Sequence, residues 1–359
     1  MTDSPAFPPT EPFSESVAAE QVSFSGSGSE YFGIWIVNVL LSILTLGIYS
    51  AWAKVRKARY FYDNTQIAGA SFEYHGNPIA ILKGRIIAFV LLAGYQLAFR
   101  LNIAFGLITF LLLMAVMPWL VWKSMQFKLY NSSYRGIRFG FKGNLEKAYI
   151  AYLVMPMVAM MSLYFALPFA HHQIKKFQHE ESRFGTTSFS FHATVGNFYK
   201  MYLIGFLLMV GGLAVIGIAS AGTFMTIAAT GLKHAGAGAI SGILFFIFAI
   251  YAWIFMLIPL FMTLSQNLIW SNTRLGRHRF KSEMKWTRMT FIAFTNILGI
   301  VVTLGLFTPF AQIRSMKYRL ESISLVPDGS LDNFIADARQ NASAMGEGMA
   351  DLLDFDISM

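Results

Sequence analysis

Histidine is the residue type with the clearest capacity for chemistry in this sequence, because most of the histidines fall in one stretch. That stretch contains His171, His172, His179, Glu180, Glu181 and His192. Imidazole and carboxylate groups are common zinc ligands, so a metal site is one interpretation. Their spacing fits no recognised ligand motif, and the sequence favours a solvated loop at the membrane surface instead. We therefore expect no metal and no other cofactor.

Other catalytic signatures are missing from the sequence. Serine, histidine and aspartate do not cluster in a nucleophile pattern, and no glycine-rich phosphate-binding loop follows a strand signal. The chain has no cysteine, which excludes disulfides and thiol chemistry. We predict that the protein is not an enzyme.

Amide side chains are the other polar groups that could act within the apolar parts of the chain. The candidate intramembrane polar residues are Asn38, Asn296 and Gln96, with Asn102 nearby. They have two interpretations, hydrogen bonding between helices or a polar permeation path. The apolar runs contain no Asp or Glu, which counts against a proton-driven transporter but not against a channel.

Membrane helices must position these residues. Of the 359 residues, 55% are hydrophobic and only 13% are charged, and the mean hydropathy is +0.51. Seven runs are free or nearly free of charge: 31–53, 86–99, 101–122, 148–170, 201–232, 235–269 and 289–311. Since about 20 apolar residues cross a bilayer as a helix, the pattern predicts a polytopic integral membrane protein.

Charge is segregated along the chain. The two tails hold 12 of the 19 acids but only one base, Arg339, so residues 31–325 carry 27 of the 28 bases. A basic excess beside apolar helices is typical of cytoplasmic loops that face anionic lipid head groups, which are the expected partners; nucleic acid is not expected. We predict a disordered N-terminal tail over residues 1–20 and an acidic amphipathic C-terminal tail over residues 327–359. That second tail is either solvated or docked on the basic face.

An internal repeat links the two ends of the apolar region. Residues 45–60 read TLGIYSAWAKVRKARY and residues 303–318 read TLGLFTPFAQIRSMKY. Gly47 and Gly305 suit a left-handed helix end, and Ser50 and Thr308 suit the N-cap of a second helix. That helix is predicted to be interfacial and amphipathic. The candidate head-group contacts are Trp52, Lys54, Arg56, Lys57, Arg59, Arg314, Lys317 and Arg319.

Weaker copies of this pattern indicate about five units in a single membrane domain over residues 21–326. Pro118, Pro168 and Pro259 each end an apolar run, as Pro309 does, and a short turn and strand signal follows the first four basic stretches. Each connection is therefore predicted to be a small β-hairpin. Lone strand signals at residues 22–26 and 322–326 are expected to pair with each other.

Equivalent connections with the same basic signature should lie on one side of the membrane. We therefore predict two transmembrane hairpins and three short units that enter and leave on the cytoplasmic side, with seven ordinary spans as the alternative. The predicted fold class is an all-α polytopic membrane protein with internal repeats, short β-hairpin connections and interfacial amphipathic helices.

A family resemblance accompanies these motifs. The pattern TLGIYSAWAKVRKARY with the following NTQIAGASFEYHG, its second copy near residue 303, and the terminal EGMADLLDFDISM resemble the YjgN-like bacterial inner-membrane proteins. The resemblance covers roughly residues 20 to 359. It implies a multi-pass inner-membrane location and no particular activity. The leading functional prediction is a transporter or pore, and the alternative is a non-transporting scaffold or a lipid-interacting protein; no protein partner is specified.

Overall fold

Helices make up most of the chain in the computed structural model, which describes residues 19–231 and 236–340. The helices are α1 Gly28–Leu44, α2 Ser50–Asp63, α3 Pro78–Leu101, α4 Ile103–Tyr130, α5 Leu145–Tyr149, α6 Met155–Met161, α7 Leu167–Glu180, α8 Val195–Thr230, α9 Gly236–Ser271, α10 Trp286–Val302, α11 Thr308–Glu321 and α12 over residues 331–340. A π-helical turn, Ile150–Val154, joins α5 to α6. Residues 1–18 of the predicted disordered tail lie outside the described residues, as do residues 341–359 of the C-terminal tail.

Short strands connect the helices. They are β1 Glu20–Gln21, β2 Ser23–Phe24, β3 Thr65–Ile67, β4 Ala70–Tyr74, β5 Ser132–Tyr134, β6 Ile137–Phe141, β7 Ser182–Phe184, β8 Thr187–Phe191, β9 Thr273–Leu275, β10 His278–Ser282 and β11 Ile323–Val326. The four predicted hairpins are present, each with a two-residue loop. Every loop has a glycine with positive φ, namely Gly69, Gly136, Gly185 and Gly276, as tight hairpin turns require.

All of these strands form one antiparallel sheet, in the order β1-β11-β10-β9-β8-β7-β6-β5-β4-β3-β2. The predicted pairing of the two lone strands is confirmed, since Glu20 lies opposite Leu325 and Gln21 opposite Ser324. The other half of the N-terminal strand pairs with β3, where Ser23 lies opposite Gln66. The sheet is therefore closed into a ring by its first strand.

The prediction of an all-α fold with isolated hairpins is thus wrong in one respect. A two-stranded hairpin is only marginally stable in water, and its free edges can pair with other strands. Here each hairpin pairs with the next, as Phe72 with Tyr134 and Phe139 with Phe184. The connections are therefore one structural layer.

Five helical units are attached to this ring. Each unit begins at the end of one strand and leads back to the neighbouring strand of the ring. The units are α1–α2, α3–α4, α5–α7, α8–α9 and α10–α11. The last helix of each unit packs against the first of the following unit, and α11 packs against α1 to complete the circle. Both ends of every unit consequently lie on the same side of the molecule.

Two of the units are long and three are short. Among the described residues, α3, α4, α8 and α9 are long and apolar enough to cross a membrane, while α1 and α10 are apolar but have only 17 residues each. The 36 residues of α9 give a length of about 54 Å against a hydrocarbon core of about 30 Å.

Apolar side chains fill the interior of the ring. Each hairpin contributes two of them at the same spacing of five residues. These residues are Ile67 and Phe72, Tyr134 and Phe139, Phe184 and Phe189, and Leu275 and Phe280. The described end of the C-terminal tail, α12, covers the ring with Ile335 and Ala338, which are buried. A cavity of about 190 Å³ remains beneath it.

One ion pair fastens α12 to the ring, from Arg135 Nη1 to Asp332 Oδ1 at 2.7 Å. The guanidinium of Arg339 donates to the backbone oxygen of Arg135 at 2.9 Å. Residues 331–340 of the tail therefore pack on the ring, while the predicted docking of the whole acidic tail on a basic face stays a prediction. Apolar residues of α12, among them Leu331, Phe334 and Ile335, also pack against the interior of the ring.

A cysteine-labelling experiment tests the return of the first unit to its starting side. Ser29 at the start of α1 and Gln66 in β3 flank this unit, and the chain has no native cysteine. Single variants Ser29→Cys and Gln66→Cys should both resist a membrane-impermeant maleimide in intact cells. Both should react after the inner membrane is opened. Protection of only one would mean that the first unit crosses the membrane.

Candidate functional site

A cleft of about 500 Å³ lies between the first unit, the start of α3 and α11, and we call it the first-unit cleft. It brings together three of the predicted polar and basic residues, Asn38, Lys54 and Lys57. It is lined by Tyr31, Trp35, Asn38, Val39, Ser42, Ile43, Ser50, Ala53, Lys54, Lys57, Arg85 and Gln312.

Helical spacing explains why these residues share one cavity. On α1, Tyr31, Trp35, Asn38 and Ser42 recur every three or four residues and so fall on one face. On α2 the same spacing aligns Ser50, Lys54 and Lys57. The tight turn between the two helices makes these faces meet.

The positive charge of the cleft comes from Lys54, Lys57 and Arg85, and no acidic residue lines it. Lys57 Nζ donates to Gln312 Oε1 at 2.7 Å. Burial lowers the pKa of Lys57, because a desolvated ammonium group loses its hydration. Arg85 Nη1 donates to Ser50 Oγ. A bound anion would stabilise these cations, because Gln312 and Ser50, the partners of Lys57 and Arg85, are neutral.

Asn38 adds an unused hydrogen-bonding group. Its side chain is 8% exposed, and its Oδ1 atom is buried without a partner among the described residues. A buried oxygen that accepts no hydrogen bond is costly, of order 1–3 kcal/mol. Asn38 also lines the first-unit cleft.

Asn296, the repeat counterpart of Asn38, is in a different state. Its Nδ2 donates to Ala311 O at 3.1 Å and to Ser315 Oγ at 3.0 Å. Its Oδ1 accepts from Arg314 Nη1 at 2.8 Å. Asn296 therefore joins α10 to α11 as a structural residue, which is the interhelical interpretation that the sequence left open.

The other polar candidates lie apart from the cleft. Gln96 is exposed on α3. Asn102 caps α4 at the turn of the second unit, where its Oδ1 accepts from Ala104 N at 2.7 Å. The structure thus does not bring Asn38, Gln96 and Asn296 together.

Of the eight candidate head-group contacts, only Lys54 and Lys57 line the cleft. Arg56 and Arg59 are exposed elsewhere on α2, and Trp52 stacks on Tyr49 at 6.3 Å. The remaining three lie on α11 and contact protein groups. Arg314 Nη1 donates to Asn296 Oδ1, and Arg319 Nε donates to Gln266 Oε1 at 3.0 Å. Lys317 Nζ lies 3.8 Å from Glu321 Oε1.

Sequence reasoning missed Arg85 and Gln312. Arg85 stands at the start of the α3 apolar run, where a base has no obvious partner in sequence. Gln312 occupies the repeat position of Lys54, so the aligned copies contained a signal for it.

The predicted N-caps Ser50 and Thr308 are wrong in their role. Both are the first residues of their helices. Their hydroxyl groups donate back to the carbonyl oxygens of Gly47 and Gly305, the latter at 2.6 Å. The two glycines are left-handed as predicted, with φ of +91° and +97°. Each of these carbonyl oxygens also accepts from the backbone N of the same residue, Ser50 or Thr308, at 3.1 Å, so the turn is bonded twice to the start of the second helix.

Three of the four histidines in the histidine-rich stretch, His171, His172 and His179, lie on α7 and pack against other elements, whereas His192 follows β8 and is exposed. His172 is buried, and its Nε2 lies 2.9 Å from Ala193 O. His171 Nδ1 lies 3.2 Å from Tyr202 Oη, and His179 Nδ1 lies 3.2 Å from Thr273 Oγ1. Within the described residues no group of three potential ligands could hold a metal ion.

Four apolar helices of membrane length, joined on one side by a shared sheet, define a polytopic helical membrane protein. Residues 19–352 match the family described as "Bacterial protein of unknown function (DUF898)", and the chain belongs to this family. No solved structure matches the chain.

Curated relatives of the chain carry the name inner membrane protein YjgN. One from Salmonella typhimurium (strain LT2) is 32% identical over 145 residues, which is 40% of this chain and 37% of the relative. One from Escherichia coli (strain K12) is 24% identical over 307 residues, which is 83% of this chain and 61% of the relative. The chain thus spans less than two thirds of the length of these relatives. The location agrees with the sequence prediction, and the protein is a multi-pass protein of the inner membrane.

The two repeat asparagines should differ in their effect on stability. Asn296→Ala removes the hydrogen bonds to Arg314 Nη1, Ala311 O and Ser315 Oγ, so it should lower the free energy of unfolding by about 1–3 kcal/mol. Asn38→Ala removes an oxygen that has no partner, so its cost should be smaller. Denaturant titrations in detergent micelles measure both, and equal losses would contradict this assignment.

Acid should weaken α7 packing. Burial, reinforced by Lys175, lowers the pKa of His171 and His179 to about 4. The unfolded chain binds these protons near pH 6.5, so stability should be complete above that pH and fall between pH 6.5 and 4. The loss should reach about 1–3 kcal/mol for each histidine.

Thermal unfolding at several pH values checks the acid effect. The double variant His171→Gln, His179→Gln should show a shallower loss with falling pH than the wild type. Lys176→Gln, on the exposed side of α7, serves as the matched control and should follow the wild type. A double variant that is as acid-sensitive as the wild type would rule out these two histidines.

Proposed function

We propose that the protein is a non-catalytic, lipid-interacting protein of the inner membrane. Its two long units cross the bilayer as helical hairpins. Its three short units enter and leave the cytoplasmic leaflet. The observation that carries this proposal is the exposure of large apolar side chains at the tips of the three short units. We call tips the turns between the helices of these units, at Leu46, Phe165 and Leu304.

The tips of the short units expose their apolar side chains almost completely. Leu46 in the first unit and Leu304 in the fifth are each 95% exposed, and Phe165 in the third is 80% exposed. Clusters of this kind are unfavourable in water and mark a membrane or protein contact. In hydrocarbon each leucine would gain about 1.5–3 kcal/mol relative to water.

Each tip also satisfies its own backbone, as lipid requires. In the first unit Gly47 N donates to Ser42 O at 2.7 Å, and Thr45 Oγ1 donates to Leu41 O at 2.7 Å. Thr45 Oγ1 also accepts from Tyr49 N at 2.9 Å. Lipid offers no hydrogen bonds, so an irregular turn can enter it only when its polar groups are paired internally.

The other short units repeat this arrangement. In the fifth unit Thr303 Oγ1 donates to Gly299 O and accepts from Phe307 N. In the third unit Ser162 Oγ donates to Ala159 O and accepts from Ala166 N. The shared hydrogen-bond pattern supports the proposal that the units are internal repeats with a common design for entering lipid.

The position of Lys54 limits how deep the first tip goes. Lys54 is the fifth residue of α2, so its Cα lies about 6 Å along the helix from Ser50. A lysine side chain can extend toward the head groups, but it is costly at the bilayer centre. The first tip therefore belongs in the near leaflet.

The basic excess supports a cytoplasmic position for the sheet. The helices that end at the ring carry most of the bases of the repeat, including Arg56 and Arg59 on α2 and Lys317 on α11. Bases next to membrane segments favour the cytoplasmic side and contact anionic lipid.

A transporter or pore has weaker support. The permeation interpretation was strongest for Asn38 and Asn296 together, but the Asn296 amide is fully engaged between α10 and α11. Gln96 is exposed on α3 instead of facing Asn38. A transporter or pore therefore stays a prediction, since the described residues do not bring the candidate polar side chains together in one path.

Spin labelling tests the depth of the tips. Single cysteines at Ile48 and Leu306, next to the first and fifth tips, would carry nitroxides in reconstituted vesicles. Both labels should be accessible to oxygen and protected from a water-soluble nickel reagent, at depths of about 5–15 Å below the phosphates. Ser25→Cys, exposed at the sheet, is the matched control with the opposite accessibility. Tip labels that behave like the Ser25 label would overturn the proposal.

A further inference from the structure

We infer that the first-unit cleft binds one phospholipid, whose head group is an anionic phosphodiester that carries a hydroxyl group. This inference rests on the proposed insertion of the short units into lipid. It adds a specific site and a head-group chemistry to that general role.

Charge selects the anion. Lys54, Lys57 and Arg85 converge from α2 and α3 on one cleft that no carboxylate lines. The neutral oxygens of Gln312 and Ser50 are the contacts of Lys57 and Arg85 there, so each cation can still engage an anion. Phosphate oxygens form short, strong hydrogen bonds with lysine and arginine, and a guanidinium can bind two of them at once.

Asn38 selects the donor. Its Oδ1 atom is buried in the wall of the same cleft and accepts no hydrogen bond among the described residues. A phosphodiester monoanion alone has only acceptor oxygens and would leave this atom unpaired. A hydroxyl group on the head-group alcohol would donate the missing hydrogen bond to Asn38 Oδ1. Phosphatidylglycerol has such hydroxyl groups on its head-group glycerol.

The apolar wall of the cleft suits the acyl chains. Val39 and Ile43 lie one helical turn apart on α1, below the level of Asn38, and Ile43 is 67% exposed. The surface continues to Leu46 at the tip, which belongs in lipid. A phospholipid can therefore place its phosphate at the bases and its chains along α1, while remaining in the leaflet.

The fifth unit is a natural counterexample within the same chain. Its asparagine has an internal donor, Arg314, and Gln312 stands at the repeat position of Lys54. The asparagine of the fifth unit, Asn296 on α10, therefore has all of its hydrogen-bonding groups paired within the protein. The unsatisfied Asn38 is a feature of the first-unit cleft, not of the repeat.

Lipid binding to the full chain in detergent micelles, followed by native mass spectrometry, tests the inference. Phosphatidylglycerol and phosphatidylmethanol carry the same charge, but only the former has a head-group hydroxyl. The wild type should bind phosphatidylglycerol about fivefold more tightly, the value of one ordinary hydrogen bond. Phosphatidylethanolamine, which has no net charge, should bind more weakly than either.

Three variants locate the effect. Asn38→Leu should bind both anionic lipids equally, at the level of phosphatidylmethanol. Lys54→Gln with Lys57→Gln should weaken both by about tenfold. Arg277→Gln with Arg279→Gln removes the same charge from exposed positions of the β9–β10 hairpin, outside the cleft, so it should keep affinities within about twofold.

Several results would overturn the inference. Equal binding of the two anionic lipids by the wild type would remove the role of Asn38, whatever the folding of its variant. Equal losses in the two double variants would show a general attraction of anionic lipid to positive charge and no specific site. Full displacement of phosphatidylglycerol by inorganic phosphate at equal concentration would identify a phosphate site and not a lipid site. The depth of the tip spin labels is measured separately, so failure here leaves the proposed function testable by itself.

Discussion

The pairing of one short N-terminal strand with two partners governs the rest of this molecule. Its first half pairs with β11 and its second half with β3, so the last strand of the chain and the first hairpin are joined through Val22. Closure leaves the ring without a free edge among the described strands, which removes a common route to aggregation. It also obliges every helical unit to return to the side from which it left. The four helices that are long and apolar enough to cross a membrane belong to two of these units, α3–α4 and α8–α9.

The ring is stabilised by its filling as much as by its hydrogen bonds. Each strand supplies at most a few backbone pairs, but four hairpins direct side chains inward with the same five-residue spacing, from Ile67 and Phe72 to Leu275 and Phe280. Large aromatic side chains make up most of this filling, and the centroids of neighbouring side chains such as Phe139 and Phe184 lie 5.2 Å apart. The α12 helix covers the open end, so the C-terminal segment that is acidic by composition is held by its apolar side.

Similar backbone geometry carries different chemistry in different units. The first and fifth units share left-handed glycines and threonine-capped tips. Their polar residues differ: Arg314 satisfies Asn296, while the corresponding Arg56 is exposed and Asn38 is left with an unpaired oxygen. The common geometry gives the first and fifth units the same exposed apolar tip, at Leu46 and Leu304. The divergent residues give one of them a cationic cleft.

The sequence by itself determined the features that depend on neighbouring residues: the membrane class, the four two-residue hairpins, the left-handed turn at Gly47 and Gly305, and the return of the short units. Local periodicity and turn chemistry encode these directly. Only the tertiary structure decided that the hairpins form one closed sheet and that α7 buries its histidines. It also decided that Arg85 and Gln312 complete the cleft with Lys57, and that Asn296 is engaged while Asn38 is not. These outcomes depend on contacts between residues far apart in the chain, and the pattern within any one unit does not contain them.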